Sequence, residues 1–469
     1  MDKNKSKKLE QIVSDLSPNE YSFDSEIIKN YSVDWRNEYF GNSNLIAFPK
    51  TTKSLQAIVK KCIKNKISIV PQGGNTGLVG GSVPTNNGDE IIINLSKLNK
   101  IRNLNKDSST ITLESGCILE DIHKFTFERN YYFPVLMGSK GSCQIGGNIA
   151  TNGGGLNVIK YGSLRNNIIG LEAILGDGTF YSKLKNIKKD NTGYDLNQLL
   201  IGSEGTLGII TAACIKLYPL AINKKVIFAS FRSIKKILEF YSKIKRRFND
   251  MLTSFEIINS DSMELVLTEN KQLKRILKKN NFYCLIEISN FLQNFNFEDF
   301  LIENISKPSE YVNEIILSKS ESENTKLWLY RELIPISEKN LVGCIKHDVS
   351  VPLEFLETFI KKTDQEIKKL DKTFNFINFG HIGDNNLHYN AYTSEKSKTK
   401  SLINKQKSIN KIVFENVYKF NGSFSAEHGI GQLRKKELIK YKDKFEIEKM
   451  KAIKKIFDPN KIFNPGKVF

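Results

Sequence analysis

Residues Pro71–Pro84 read PQGGNTGLVGGSVP and follow at once on the short apolar run ISIV at Ile67–Val70. A buried strand that empties into a glycine-rich loop invites a nucleotide reading. The spacing, however, has neither the G-x-G-x-x-G of a Rossmann turn nor the G-K-[ST] ending of a P-loop. What the loop offers is a run of backbone N–H groups unshielded by side chains, with Asn75 and Thr76 as further donors, which suits close approach to a pyrophosphate. Two more small-residue stretches accompany it, GSKGSCQIGGNIATNGGG at Gly138–Gly155 and IGSEGTLGIIT at Ile201–Thr211. One such stretch alone reads equally well as a surface loop. Three in one domain imply a long, polyphosphate-bearing ligand lying against the backbone. Between them, IIGLEAILGDGTFYS predicts two strands around Gly176-Asp177-Gly178. The pattern stops after Tyr218-Pro219, so a domain boundary is expected near Leu220.

Upstream, Leu9, Ile12, Val13 and Leu16 fall at helical spacing and predict a short N-terminal helix, and Leu55, Ile58, Val59 and Cys62 predict another over Ser54–Asn65. With 469 residues the chain exceeds one ordinary core, and at least two domains are expected. The formal charge of +19 comes from lysines spread over the whole length. Its local runs, Lys243–Arg247 and Lys271–Lys279, are interrupted by apolar residues at helical spacing, so they read as solvated helix faces and no nucleic-acid partner is expected. The six cysteines are isolated, without C-x-x-C, which argues against a zinc ribbon or an iron–sulfur cluster and suits a reducing compartment. No apolar run is long enough for a signal peptide core or a transmembrane segment, and the expectation is a soluble, cytoplasmic protein.

From Val226 the chain alternates strands with lysine-rich helices, as in VIFASF, SIKKILEFYSKI and FYCLIEI, a second α+β domain. Of only five histidines, three lie in two segments here, GHIGDNNLHYN at Gly380–Asn390 and SAEHGIG at Ser425–Gly431. The first predicts a hairpin with Gly383-Asp384-Asn385-Asn386 as its loop, pairing Ile382 with Leu387 and therefore His381 with His388. Opposed side chains sit roughly 5 Å apart at Cβ, close enough to share a divalent cation, and period two adds Asn390 to that face. Glu427 could supply a third ligand and leave His428 as a base beside an open metal position. The competing reading is two turn-flanking histidines and an exposed Glu-His pair.

From about Phe40 to the C-terminus the chain resembles the FAD-linked oxidases of the vanillyl-alcohol oxidase and p-cresol methylhydroxylase type. The stretches KDNTGYDLNQLLIGSEGTLGIIT, GHIGDNNLHYN and SAEHGIG are most similar to the D-2-hydroxyglutarate dehydrogenase family. The resemblance implies an α+β, two-domain FAD-binding PCMH-type fold with a C-terminal α+β substrate, or cap, domain. Its expected parts are an N-terminal helical segment 1–40, the FAD domain 41–220 and the substrate and metal domain 221–469, whose tail 457–469 returns toward the FAD domain. It assigns FAD to Gly73, Gly74, Asn75, Thr76, Gly77, Gly138, Ser139, Gly146, Gly147, Asn152, Gly153, Glu204, Gly205 and Ile210. It also implies zinc on His381, His388 and Glu427, His428 as catalytic base, and substrate contacts from Arg331, Lys346 and Asn390.

The implied reaction is oxidation of a D-2-hydroxy acid, D-2-hydroxyglutarate to 2-oxoglutarate foremost, with D-lactate or glycolate oxidation as the alternative within the family. A zinc-dependent hydrolase is the rival from another class. The preference for a C5 acid rests on charge: if the metal takes the C1 carboxylate, D-lactate leaves Arg331 and Lys346 without an anionic partner. Two positions depart from the family pattern, Pro335 where relatives carry Thr and His347 where they carry Tyr, and both bear on which acid is preferred. Lacking an iron–sulfur motif, the reduced flavin would pass electrons to an electron-transfer flavoprotein or a quinone, and a homodimer is compatible with all of this.

Overall fold

The computed structural model describes residues 3–305, 311–341 and 343–469, so Met1 and Asp2 of the expected N-terminal segment lie outside it. The chain forms two units. Unit 1 holds residues 1–155, 162–219 and 427–469, and unit 2 holds residues 156–161 and 220–426.

Unit 1 contains two main sheets. Three strands, Ser43–Ala47, Glu90–Asn94 and Ser68–Gln72, run parallel, with Tyr21–Ser22 added antiparallel at one edge. The crossover helix Thr52–Asn65 starts where the Thr51 hydroxyl accepts from Ser54 N and ends at Lys66 in the left-handed region. It buries Leu55, Ile58, Val59 and Cys62 against these strands. The N-terminal helix Lys3–Val13 packs Leu9, Ile12 and Val13 into the same core, so this segment is part of unit 1 rather than a separate piece. Its last expected member, Leu16, lies beyond the helix end yet still packs on that core.

The second sheet is antiparallel and five-stranded, with Ile168–Leu175 and Phe180–Ser182 paired as neighbours around the 176–178 turn. Gly178 takes φ +83° there, a conformation glycine adopts freely. Arg102 ties strands of this sheet together. Its guanidinium meets Glu114 at 3.1 Å and Glu172 at 2.9 Å, while Glu172 also accepts from Thr211 at 2.7 Å.

The C-terminal part of unit 1 begins at Glu427, much earlier than the expected return near residue 457. The reason is local. Ile430 and Gly431 each donate a backbone N–H to the Glu204 carboxylate at 2.7 Å, and Gln432 reaches the carbonyls of Gly80 and Val83. Further on, Ile462 and Phe463 lie beside Ile69 and extend the parallel sheet. Asp458, fully buried, accepts from Ile462 N and Phe463 N at 3.0 Å and pairs with Lys454. Removing a buried, charge-paired acceptor leaves its donors and its cation stranded. Asp458→Ala should therefore cost about 3 kcal/mol of unit 1 stability, measurable as a lowered denaturation midpoint.

Unit 2 is built on one antiparallel seven-stranded sheet. In chain order its strands are β1 (Asn223–Phe231), β2 (Leu252–Asn259), β3 (Phe282–Asn290), β4 (Glu314–Leu317), β5 (Cys344–Ser350), β6 (Asn375–His381) and β7 (Asn386–Tyr392). The spatial order is β4-β1-β3-β2-β6-β7-β5. Helices α1 (Ile234–Phe248), α4 (Leu356–Leu370) and α5 (Gln406–Lys419) cover one face, as the contacts Tyr241 with Phe255, Phe359 with Tyr389 and His347 with Phe414 show. Helices α2 (Ser260–Glu269) and α3 (Glu321–Glu332) cover the other, where Met263, Val266, Leu327 and Tyr330 pack on Phe228, Ile258 and Phe379.

Candidate active site

The glycine stretches of unit 1 divide into two kinds. At Gly74 an added Cβ would sit 2.0 Å from Ser142 O, and at Gly146 it would sit 2.4 Å from the Ser115 side chain, so these two glycines let segments of the protein close on one another. At Gly153 the space is taken by the movable end of the Met137 side chain. Gly77, Gly138 and Gly147, by contrast, face open space, and Gly73 looks toward Gln144 and Gly147 at ordinary contact distance. Asn75, Asn152, Glu204 and Gly205 take positive φ of +52°, +50°, +52° and +69°, turning the backbone sharply at each loop. Gln144 Oε1, 3.6 Å from where a Cβ on Gly73 would sit, is buried without a hydrogen-bond partner, as are Ser115 Oγ and Ser203 Oγ. Such groups are costly unless something polar satisfies them, so bare backbone with an orphaned amide oxygen beside it fits a phosphate-bearing cofactor such as FAD.

The remaining expected cofactor residues are used within the protein itself. Asn75 donates to Val33 O and accepts from Ser82, and Asn152 accepts from Arg165 N. The Glu204 carboxylate, whose pKa burial raises against the opposing pull of two backbone donors, holds Ile430 and Gly431. The Ile210 side chain packs in the core of the antiparallel sheet. Thr76 is half-buried and Ser139 accepts backbone donors from Ser142 and Cys143 in a tight turn. A sharp test separates the two kinds of glycine. Gly74→Ala should prevent the loop from closing and destabilise the apoprotein, whereas Gly77→Val should leave the apoprotein's unfolding free energy within about 0.5 kcal/mol of wild type and weaken FAD retention.

In unit 2 the hairpin forms, with a register different from the expected one. Phe379, not His381, lies opposite His388. The loop is four residues long, but it is Ile382–Asn385: a 3-10 turn over Ile382–Asp384 buries Ile382, and Asn385 closes it at φ +71°. The shift amounts to two residues, so period two keeps both histidines on one face as diagonal neighbours. Their ring centroids are 5.9 Å apart and they offer nitrogens within 4.8 Å of each other.

Strand pairing sets the rest of this face. Glu256 on β2 lies opposite His381, Asp348 on β5 opposite His388, and Lys346 opposite Asn390. All six therefore point to the side covered by α2 and α3. His381 Nδ1 is 2.7 Å from Glu256 Oε1. A carboxylate at that nitrogen selects the Nδ1–H tautomer and leaves Nε2 with its lone pair outward, the arrangement of an imidazole ready to ligate a cation. The His388 ring packs at a tilt against Phe379, with centroids 4.7 Å apart, and its Nδ1 stands 3.9 Å from Asp348. Two such imidazoles beside carboxylates are a donor set that suits zinc.

Arg331 leaves the last turn of α3 and is buried, with its Nε 2.8 Å from Glu256 Oε2 and its guanidinium 4.6 Å over the Phe379 ring. Seven residues on, Glu338 projects to the same side and is only 3% exposed. One of its oxygens accepts from Lys346 Nζ at 2.7 Å and the other from Asn390 at 2.5 Å. Each of the two expected substrate cations thus already has a buried carboxylate partner, so a monocarboxylate such as D-lactate would not leave them unbalanced, contrary to the expectation from sequence. His347, one of the two departures from the family pattern, faces the opposite side of the sheet, where its ring nitrogens meet Tyr389 O and Asn410. Pro335, the other, is exposed in the short helix Ile334–Ser337.

Glu427 and His428 are half-buried. The chain arrives at them from Ala426, whose N–H meets Asp348 O at 3.4 Å, and leaves through the pair of donors clamped by Glu204.

Comparison with known proteins gives this geometry its context. Residues 43–182 match the family described as FAD binding domain, and residues 221–468 match that of FAD linked oxidases, C-terminal domain. Among relatives, the putative D-lactate dehydrogenase C713.03, mitochondrial, of Schizosaccharomyces pombe is 38% identical over 92% of this chain and 82% of its own length. The D-2-hydroxyglutarate dehydrogenases, mitochondrial, of Danio rerio and Arabidopsis thaliana are 36% and 35% identical, over 95% and 93% of this chain and 82% and 77% of theirs. The p-cresol methylhydroxylase crystal structure shares the fold with a TM-score of 0.77 at 14% identity, over all of this chain and 97% of that one. The mitochondrial relatives overturn the cytoplasmic expectation. Isolated reduced cysteines report a reducing environment, not which compartment supplies it. No helix among the described residues is long and apolar enough to cross a membrane. With both halves of the chain matched, the hydrolase alternative gives way: this protein is a member of the FAD-linked oxidase family.

Proposed function

We propose that this chain is an FAD-dependent 2-hydroxy-acid dehydrogenase that oxidises D-2-hydroxyglutarate to 2-oxoglutarate. The observation that carries the reading is the polar face of the unit 2 sheet, where His381, His388 and the carboxylate-braced Lys346 stand on adjacent strands and Arg331 reaches in from the helix that covers them. Bound FAD supplies the acceptor for the hydride leaving C2, at flavin N5, and a bound divalent cation, zinc by its imidazole donors, supplies positive charge toward the hydroxyl and C1 carboxylate.

The protein's own groups do the rest. Gly73, Thr76, Gly77, Gly138 and Gly147 hold the flavin cofactor. His381, His388 and Glu427 hold the cation, and His428 takes the hydroxyl proton onto a ring nitrogen. The guanidinium of Arg331, committed to Glu256 through Nε, keeps Nη1 and Nη2 for a distal carboxylate, while Lys346 and Asn390 reach the substrate from the next pair of strands. The names of the zebrafish and Arabidopsis relatives support the C5 acid. Electrons leave to an electron-transfer flavoprotein or a quinone, and a homodimer is compatible with this scheme.

A second reading, D-lactate oxidation, is favoured by the braced cations, which need no substrate anion to balance them, and by the name of the fission-yeast relative. Anaerobic flavin bleaching with a panel of D- and L-2-hydroxy acids decides between them. Fastest reduction by D-2-hydroxyglutarate is expected, and faster reduction by D-lactate would replace the first reading with the second. Chelation that strips the metal while FAD stays bound should stop bleaching, and an undiminished rate in verified metal-free protein would remove the cation from the scheme.

A further inference from the structure

Glu256 neither holds the cation nor binds substrate in the scheme above, yet it touches two of its parts. It is fully buried in the middle of β2, within the run LTSFEIIN, where the alternation gives one face to Ser254, Glu256 and Ile258. An ionised carboxylate in such a position persists only if its oxygens are matched by donors. Both are. Oε2 accepts from Arg331 Nε at 2.8 Å, and Oε1 lies 2.7 Å from His381 Nδ1.

We infer that Glu256 is a positioning residue that couples the substrate-binding arm of the site to its metal-binding arm, by orienting Arg331 and His381 with the two oxygens of one carboxylate. The guanidinium is planar, so fixing Nε against Oε2, with the Phe379 ring beneath, fixes the direction in which Nη1 and Nη2 point. The imidazole has one donor and one acceptor nitrogen when neutral, so engaging Nδ1 against Oε1 determines that Nε2 carries the ligating lone pair. Neither Arg331 nor His381 can turn without withdrawing a donor from the same buried carboxylate. Occupation of one arm therefore stiffens the other, and a change at Glu256 loosens both at once. The inference rests on the roles proposed for Arg331 and His381.

Glu256→Gln tests it, since the amide keeps the shape but presents an NH2 group to one of two donors. Zinc affinity is read by competition with a chromophoric chelator, KM and kcat with D-2-hydroxyglutarate and with D-lactate, and the visible flavin spectrum reports an intact FAD unit. The expected result is zinc binding weakened about 10- to 100-fold. KM for D-2-hydroxyglutarate should rise about tenfold more than KM for D-lactate, with the flavin spectrum unchanged. Glu256→Asp, which keeps the charge and shortens the reach, should recover part of the zinc affinity. Wild-type zinc affinity, or an unchanged KM ratio, would overturn the inference. If Glu256→Gln does not yield folded protein, Glu256→Asp decides alone: losses in both zinc affinity and KM ratio support the coupling, and loss of neither, or of only one, refutes it. Should wild-type protein bind no zinc and resist chelation, the metal proposal itself fails, and with it the coupling, while the KM ratio still reports whether Glu256 aims Arg331.

Discussion

His428→Ala should slow flavin reduction by about 10²- to 10⁴-fold while zinc and FAD remain bound, the range expected when a positioned general base is lost. The structure gives reasons to expect a loss of chemistry rather than of fold. Backbone contacts of neighbouring residues hold the segment. Ala426 is fixed to the Asp348 carbonyl, and Ile430 and Gly431 are fixed to the Glu204 carboxylate. Gly429 takes φ +81°, and a Cβ there would come within 2.9 Å of Glu204 Oε1, so the backbone just after His428 is pinned closely. Trimming the imidazole leaves all of these contacts standing. The effect should therefore fall on the rate of bleaching at saturating substrate, with little change in KM. Metal content by elemental analysis and the flavin spectrum provide the controls, and a bleaching rate within tenfold of wild type would take the base role away from His428.

Much of this site was legible in the sequence because it is written in local signals. Glycine clusters, a turn between two apolar runs and a Glu-His pair all report on a few consecutive residues. The hairpin illustrates how far such signals reach. Its loop length was readable, but Asp, Asn and Gly tolerate turn dihedrals at several offsets, so the position of the loop within GDNN was not, and the register came out two residues away. The period of two protected the conclusion about shared faces. What local signals missed were the partners brought in by sheet order. Glu256 is distant in sequence from both Arg331 and His381, and only the placement of β2 beside β6 makes them neighbours. There was a hint nonetheless, since a lone glutamate inside the apolar strand LTSFEIIN must find donors somewhere. Glu338 carried a similar hint, standing seven residues after Arg331 and so about two helical turns along the same face.

Arg331→Ala should produce two separate effects, which the bracing by Glu256 allows to be told apart. The first is on recognition. Charge-assisted hydrogen bonds to a carboxylate are worth about 1.5–3 kcal/mol, so losing the guanidinium fork should lower kcat/KM for D-2-hydroxyglutarate about 10- to 150-fold. D-lactate lacks the distal carboxylate and should lose far less. The second effect is on stability. Glu256 is fully buried, and removing its cation leaves a carboxylate with one donor fewer in a dry place, at a cost of about 3–5 kcal/mol. A double change, Arg331→Ala with Glu256→Gln, removes the stranded charge and should recover part of the lost stability without restoring the preference for the dicarboxylate. Denaturant midpoints for the two variants and the ratio of kcat/KM between the two acids measure these quantities independently. An unchanged ratio in Arg331→Ala would mean that this guanidinium serves Glu256 alone, and that the distal carboxylate is held by Lys346, whose Nζ stays at 2.7 Å from Glu338 and about a third exposed toward the same face.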